Sequence, residues 1–163
     1  MALPYRRLAA AAIVDLDDRT IVVYGSVLPW RSAPRHAPEL SSPDETAAAM
    51  FERVLTAQVR DIRALQASHP DALLIWAGDF NQSLDGPNMV GSAAGRSLLS
   101  EALDRLGFAA WNQGEAHAVG GLLAIDLICG PRRCLVEKVD RFEPVRAGKR
   151  LSDHAGYVVD VEL

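Results

Sequence analysis

The run Ala72-Leu73-Leu74-Ile75-Trp76-Ala77 restricts the fold of this chain more than any other segment. It is a short, unbroken apolar stretch, preceded by His69-Pro70-Asp71 and followed by Gly78-Asp79-Phe80-Asn81, and it reads as a strand buried on both faces. Such a strand needs cover on each side. Immediately upstream, Met50, Phe51, Val54, Leu55, Val59, Ile62 and Leu65 recur at helical spacing with charged residues between them, which predicts a long amphipathic helix ending near Ser68. Its start is expected at Ser41-Ser42-Pro43-Asp44-Glu45, with Ser42 as cap, Pro43 in the first helical position and Glu45 three residues after the cap. Further upstream, Leu8 to Asp15 and Ile21 to Leu28 read as a β-hairpin closed by a polar turn, and Pro29, Pro34 and Pro38 predict irregular chain up to Ser42. Downstream, a loop over 82–95 precedes a shorter helix, Gly95 to Gly107. Strands are then expected near Phe108 to Trp111, Leu123 to Cys129, Cys134 to Phe142 and Gly156 to Leu163. This order predicts an α/β domain, residues 1–163, with two main helices packed on one face of a mixed sheet.

Bulk properties narrow the class further. With 163 residues, 49% of them apolar, and a mean hydropathy of +0.04, the chain has the size and composition of one globular domain. A net charge of −4 gives no general basic footprint, so a polyanionic ligand has to be met by a local patch or a metal. Cys129 and Cys134 are the only cysteines; they lack the partners of a structural zinc site and are expected to be reduced. Arg6-Arg7 before Leu8 to Val14 imitates a short signal peptide, but the run leads straight into Asp15-Leu16-Asp17-Asp18 and is read as a strand. With no apolar run of spanning length, no membrane partner is expected and the expected compartment is the cytoplasm.

Three polar groups fall where apolar strands end. Asp79 and Asn81, two residues apart in extended chain, emerge on the same side, where one carboxylate and one amide can hold a water, a hydrated metal or a phosphate oxygen. A local turn in which both bond their own backbone explains the pair equally well. Asp126, in Ala124-Ile125-Asp126-Leu127-Ile128, would be costly unpaired. Its partner is either backbone amides or an arginine, or else a histidine that it orients. Leu151-Ser152-Asp153-His154 supplies a histidine beside Asp153, a hard oxygen ligand suited to Mg2+ or Mn2+, and a turn at 152–155 is needed to bring both into one cleft. Arg31, Arg35 and His36, and Arg146, Lys149 and Arg150, are either solvated loop charge or a phosphate-contacting rim. His117 and His69 are expected at the surface; Asn88, Trp111 and Asn112 receive no role.

Gly78-Asp79-Phe80-Asn81, Ile125-Asp126-Leu127-Ile128 and Ser152-Asp153-His154, in that order, resemble the last three motifs of the endonuclease/exonuclease/phosphatase superfamily, which includes deoxyribonuclease I-like enzymes, abasic-site endonucleases and sphingomyelinases. The resemblance runs from about Tyr5 to the C-terminus. It implies half of a four-layered α/β sandwich, and a metal-dependent hydrolase of phosphate esters, nucleic acid among them. It further implies that Asp79 positions or deprotonates the attacking water, that Asn81 holds that water or a phosphate oxygen, and that His154, oriented by Asp126, contacts the scissile phosphate. Asp153, with Asp79, is implied to bind Mg2+ or Mn2+. The chain departs from the family pattern in lacking the N-terminal half with its Asn and its metal-binding Glu: no Asn precedes Asn81, and Glu39, Glu45 and Glu52 lie in a proline-rich loop and a helix. An open apolar sheet face is therefore expected, to be covered by a second copy (a homodimer) or by a complementing chain, or else to reflect a fragment of a longer product. A catalytically silent half-domain that acts as an assembly or binding module is the alternative.

Overall fold

A computed structural model describes residues 8–36, 40, 42, 44–86 and 90–163 of the chain. Two strands, β1 (Ala9–Asp15) and β2 (Thr20–Val27), form the expected hairpin, closed by Leu16 and Arg19 bonding each other's backbone and by the Thr20 hydroxyl donating to Asp15 at 2.8 Å. After a single helical turn, α1 (Ala33–His36), the long helix α2 (Ala47–Ser68) leads to β3 (Leu73–Asp79). Helix α3 (Ala93–Leu106), β4 (Phe108–Ala110) and β5 (Asp126–Pro131) follow. The chain closes with β6 (Leu135–Phe142), a small hairpin β7 (Val145–Arg146) and β8 (Lys149–Arg150), and β9 (Gly156–Glu162).

Five strands make one mixed sheet in the order β1-β2-β3-β5-β4, with β2 and β3 parallel and every other neighbour antiparallel. The apolar run read from the sequence is its central strand. Side-chain alternation sorts the two faces: Val22, Tyr24, Leu74, Trp76, Leu127 and Cys129 pack with Met50, Phe51, Val54, Ile62, Leu99, Leu103 and Leu106 of the two long helices. Leu73, Ile75, Ile21 and Ile128 point the other way and meet Val136, Val159 and Val161 of the β6–β9 ribbon. The fold is thus half of an α/β sandwich, with helices on one face of a mixed sheet and a short second β-layer on the other.

Several local expectations give way to the structure. The helix cap is Thr46, whose hydroxyl accepts from the Ala49 N–H at 3.2 Å, and not Ser42. The Glu45 carboxylate does bond the Ser42 N–H, but it also pairs with Arg53 at 2.8 Å, so the capping-box pattern fixes the approach to the helix and not its first turn. Between Pro29 and Ser42 the chain is not wholly irregular, because Pro34 is accommodated in the first turn of α1, where its missing N–H costs nothing. The open sheet face is partly closed by the ribbon, while Ile13 and Val14 of β1 remain about half exposed. Met1–Arg7, Pro38, Glu39, Ser41, Pro43 and Asn88 lie outside the described residues. Among the described residues no helix is long and apolar enough to cross a membrane, and Cys129 and Cys134 are free and buried.

Candidate active site

Strand β3 delivers Asp79 at its end, and the geometry just before it is set by Gly78. At φ 142°, a Cβ on residue 78 would lie 1.9 Å from the Ser26 carbonyl oxygen, so only glycine allows β2 and β3 to approach this closely. Asn81 adopts a left-handed conformation, φ 52°, which asparagine tolerates better than most residues. Its backbone N–H donates to Asp79 Oδ1 at 2.9 Å, and its side-chain amide donates to Asp79 Oδ2 at 3.0 Å and to the Leu28 carbonyl at 2.9 Å. Both amide protons are therefore spent on the protein, which leaves Oδ1 of Asn81 as the free polar atom of that side chain.

Asp126 is directly opposite Asp79 in the β3–β5 register, on the same face of the sheet. It is the first residue of β5 and lies at the strand's mouth, less deeply enclosed than its apolar neighbours in sequence suggest. Its partner is the histidine: Asp126 Oδ2 and His154 Nδ1 are 2.8 Å apart. His154 reaches it because residues 152–155 form a bend in which the His154 N–H donates to the Ser152 hydroxyl at 3.0 Å. Asp153 stands at the edge of this cluster: its side chain is 79% exposed and its Oδ1 is 3.9 Å from His154 Nε2. The structure thus brings Asp79, Asn81, Asp126 and His154 together and leaves Asp153 on the rim.

Electrostatics follow from this crowding. Burial raises the Asp79 pKa above the ordinary carboxylate value, opposed by the Asn81 N–H and reinforced by the charge of Asp126. For His154, burial works against the imidazolium, but the Asp126 hydrogen bond and the charges of Asp126, Asp79 and Asp153 outweigh it and raise the pKa. A carboxylate and a histidine, both of raised basicity, lie side by side.

Two residues of this region escaped the sequence reading. His117, expected at the surface, is 7% exposed and presents its ring edge to His154 with centroids 5.8 Å apart. Burial holds its pKa below the ordinary histidine value against the pull of Asp126. Asn112 is buried beneath Asp126, donating to the Asp126 carbonyl at 2.8 Å and accepting from the Ile128 N–H at 2.9 Å, so that its side chain continues the β4–β5 ladder after β4 has ended. Arg31, Trp30, Phe51 and Leu98 line a cavity of about 320 Å3 that opens beside Asn81, on the helical side of the site. Arg150 spends one N–H on the Ala118 carbonyl, while Arg146 and Lys149 are exposed.

The donor set fits a divalent cation in one respect. Asp79 and Asp126 face the same space with no lysine or arginine ion pair to either among the described residues, so His154 alone compensates them. A ring nitrogen of His117, an Asp126 carboxylate oxygen and a ring nitrogen of His154 also lie within 4.8 Å of one another. That nitrogen-rich grouping suits Mn2+ or another transition ion better than Mg2+, which prefers oxygen ligands.

A mixed sheet with helices on one face and a β-ribbon on the other gives the chain a deoxyribonuclease I-like fold. Among solved structures it is similar to the endonuclease domain of TRAS1, a telomere-specific non-LTR retrotransposon, with a TM-score of 0.55 and 16% identity over 96% of this chain and 64% of that one. It is also similar to the AP endonuclease LMAP from Leishmania major, with a TM-score of 0.52 and 14% identity over 93% of this chain and 54% of that one. The chain therefore spans between 54% and 64% of the length of these two neighbours. No protein-family model and no curated protein matches the sequence.

Proposed function

We propose that this chain carries the second half of a metal-dependent phosphodiesterase site and hydrolyses phosphate esters in the manner of a nuclease. The observation that carries this reading is the 2.8 Å contact between Asp126 and His154, set beside the Asp79–Asn81 pair at the mouths of two neighbouring strands. Both structural neighbours are endonucleases by name, which supports nucleic acid as the substrate class.

The chemistry divides among the side chains as in-line attack on a phosphodiester requires. Asp79, raised in basicity by burial, accepts a proton from the attacking water, and Asn81 Oδ1 accepts that water's second hydrogen bond. Asp126 accepts a hydrogen bond from the Nδ1–H of His154, which fixes the ring and turns a protonated Nε2 toward a phosphate oxygen. Asp153 and Asp79 would hold Mg2+ or Mn2+, which when bound neutralises charge on the phosphate. A second copy or a complementing chain covers the β1 side of the sheet, where Ile13 and Val14 are left half exposed, and completes the cation site.

The test is cleavage of bis(p-nitrophenyl) phosphate and of plasmid DNA with Mg2+ or Mn2+. The expected result is turnover that EDTA abolishes; turnover indifferent to EDTA sinks the reading. A silent assembly module is the second reading, favoured by the exposure of Asp153, and it predicts no thermal stabilisation by Mn2+. A rise in melting temperature with Mn2+ that Asp153→Ala removes counts against it.

A further inference from the structure

The cavity of about 320 Å3 beside Asn81 has no part in the division of labour above. Backbone contacts set it against the site. The Leu28 N–H donates to the Asp79 carbonyl at 2.8 Å and the Leu28 carbonyl accepts from the Asn81 amide at 2.9 Å. The loop that follows, Pro29-Trp30-Arg31, therefore starts from a point tied to both residues. Trp30 and Arg31 line the cavity from this loop, Phe51 from α2 and Leu98 from α3, while Asn81 belongs to the cavity and to the site alike. Access to it is open: Trp30 is only partly buried, and Arg31 is exposed with no ion pair among the described residues.

One polar group in the wall is uncommitted. Gln82, 5% exposed, also lines the cavity. Its Oε1 accepts from the Ser92 N–H at 2.9 Å, which assigns the amide oxygen and leaves Nε2 without an acceptor among the described residues. That nitrogen is not one of the sealed unpartnered atoms, which among the described residues belong to Gln58, Arg96, Trp111 and His117, so a group in the cavity reaches it. Two glycines that line the same cavity make room for the amide. A Cβ on residue 91 would lie 2.0 Å from Oε1, and a Cβ on residue 95 would lie 2.7 Å from Nε2. A nearly enclosed donor with no acceptor costs stability unless water or a ligand meets it.

We infer that this cavity is a base subsite, which takes one unpaired nucleobase next to the phosphate held by His154. The base lies against Trp30, an acceptor on its edge bonds Gln82 Nε2, and Arg31 meets the adjoining phosphate. This deepens the proposed function and rests on it. Apolar walls, an aromatic ring and a few placed donors suit a base, whereas a lone phosphate has no use for Phe51 and Leu98. A base within a duplex enters such a cavity only by leaving its stack and its partner. The net charge of −4 points the same way, because a chain without a basic footprint gains little from a duplex backbone and has to draw affinity from base contacts. Single-stranded nucleic acid is the preferred substrate.

Trp30 is also the reporter, since Trp76 is fully buried and Trp111 is 7% exposed. With the full chain in EDTA, a single-stranded oligothymidylate of about eight residues is expected to quench tryptophan fluorescence. An oligomer of the same length whose sugars carry no base is expected to leave it unchanged, and Trp30→Ala is expected to abolish the quenching. In Mn2+ the wild type should cleave a single strand faster than the same strand in a full duplex. Trp30→Ala should lower kcat/KM on the single strand by about 5- to 150-fold, and Trp30→Phe, which keeps a ring for stacking, should recover most of that loss. Equal quenching by the base-free oligomer makes the occupant a phosphate and overturns the inference. So does fluorescence that neither oligomer moves, or a Trp30→Ala protein that cleaves the single strand like wild type. Each of these ends this inference alone and leaves the proposed function standing. A wild type that cleaves neither single strand nor duplex ends both.

Discussion

Asn112 is the residue whose replacement tests the architecture of the site most sharply, because it touches no substrate in this account and still fixes Asp126. It is 1% exposed, and both ends of its amide are spent on β5, one on the Asp126 carbonyl at 2.8 Å and the other on the Ile128 N–H at 2.9 Å. Asn112→Leu keeps the branched shape and removes both bonds, leaving one acceptor and one donor of β5 unpaired at about 1–3 kcal/mol each. The sum, about 2–6 kcal/mol, is a large part of the roughly 5–15 kcal/mol that typically separates folded from unfolded domains. For a domain of this size each kcal/mol moves the midpoint by about 2–4 °C, so a fall of roughly 4–24 °C in Tm is expected. Differential scanning calorimetry reads this directly, and chemical denaturation should show a lower midpoint at unchanged slope. The ring signals of His154 should shift as well, because the carbonyl that Asn112 holds belongs to the residue that holds His154. A variant that melts within about 2 °C of wild type would refute the argument that this side chain replaces a strand.

Three further outcomes follow from the same geometry. Gly78→Ala places a Cβ 1.9 Å from the Ser26 carbonyl at a positive φ; a loss of about 2–3 kcal/mol or more is expected in thermal melts, and a wild-type Tm would contradict it. The raised pKa of His154 means that its pairing with Asp126 stabilises the fold fully below the ordinary histidine value of 6.5 and is lost as pH rises through the raised one. The Tm deficit of Asp126→Asn should therefore be larger near about pH 5.5 than near about pH 9, and a deficit growing with pH would reverse the assignment. Burial pushes the Cys129 thiol well above the ordinary range and Cys134 is also enclosed, so Ellman's reagent should titrate neither until the chain unfolds; rapid labelling of Cys129 in the native protein would contradict the packing.

What could be read from the sequence is what depends on local periodicity or on the end of a strand. The run before Gly78 declared β3, the spacing from Met50 to Leu65 declared α2, and Asp79 and Asn81 were placed by the end of that strand. Asp126 called for a partner because it adjoins apolar residues, and the histidine expected for it is the one it meets. His117 and Asn112 carried no such mark. His117 sits in a loop without periodicity, and its burial comes from Arg141, Tyr157 and Arg150, which are distant in sequence. Asn112 follows a strand only three residues long, and its value appears only when β5 lies beside it. The cap at Thr46 was hidden for a different reason, since Ser42 and Glu45 do form part of the predicted motif and merely form it one turn too early. The partial closure of the open face was equally illegible, because the β6–β9 ribbon belongs to a second layer whose position is set by packing and not by pattern.

The most direct test of the central claim is the rate of bis(p-nitrophenyl) phosphate cleavage in Mn2+ by wild-type protein and by His154→Ala, each verified as folded by its melting curve. The wild type should show measurable turnover and the variant a loss of roughly 100- to 10,000-fold. Equal rates for the two proteins would contradict the claim.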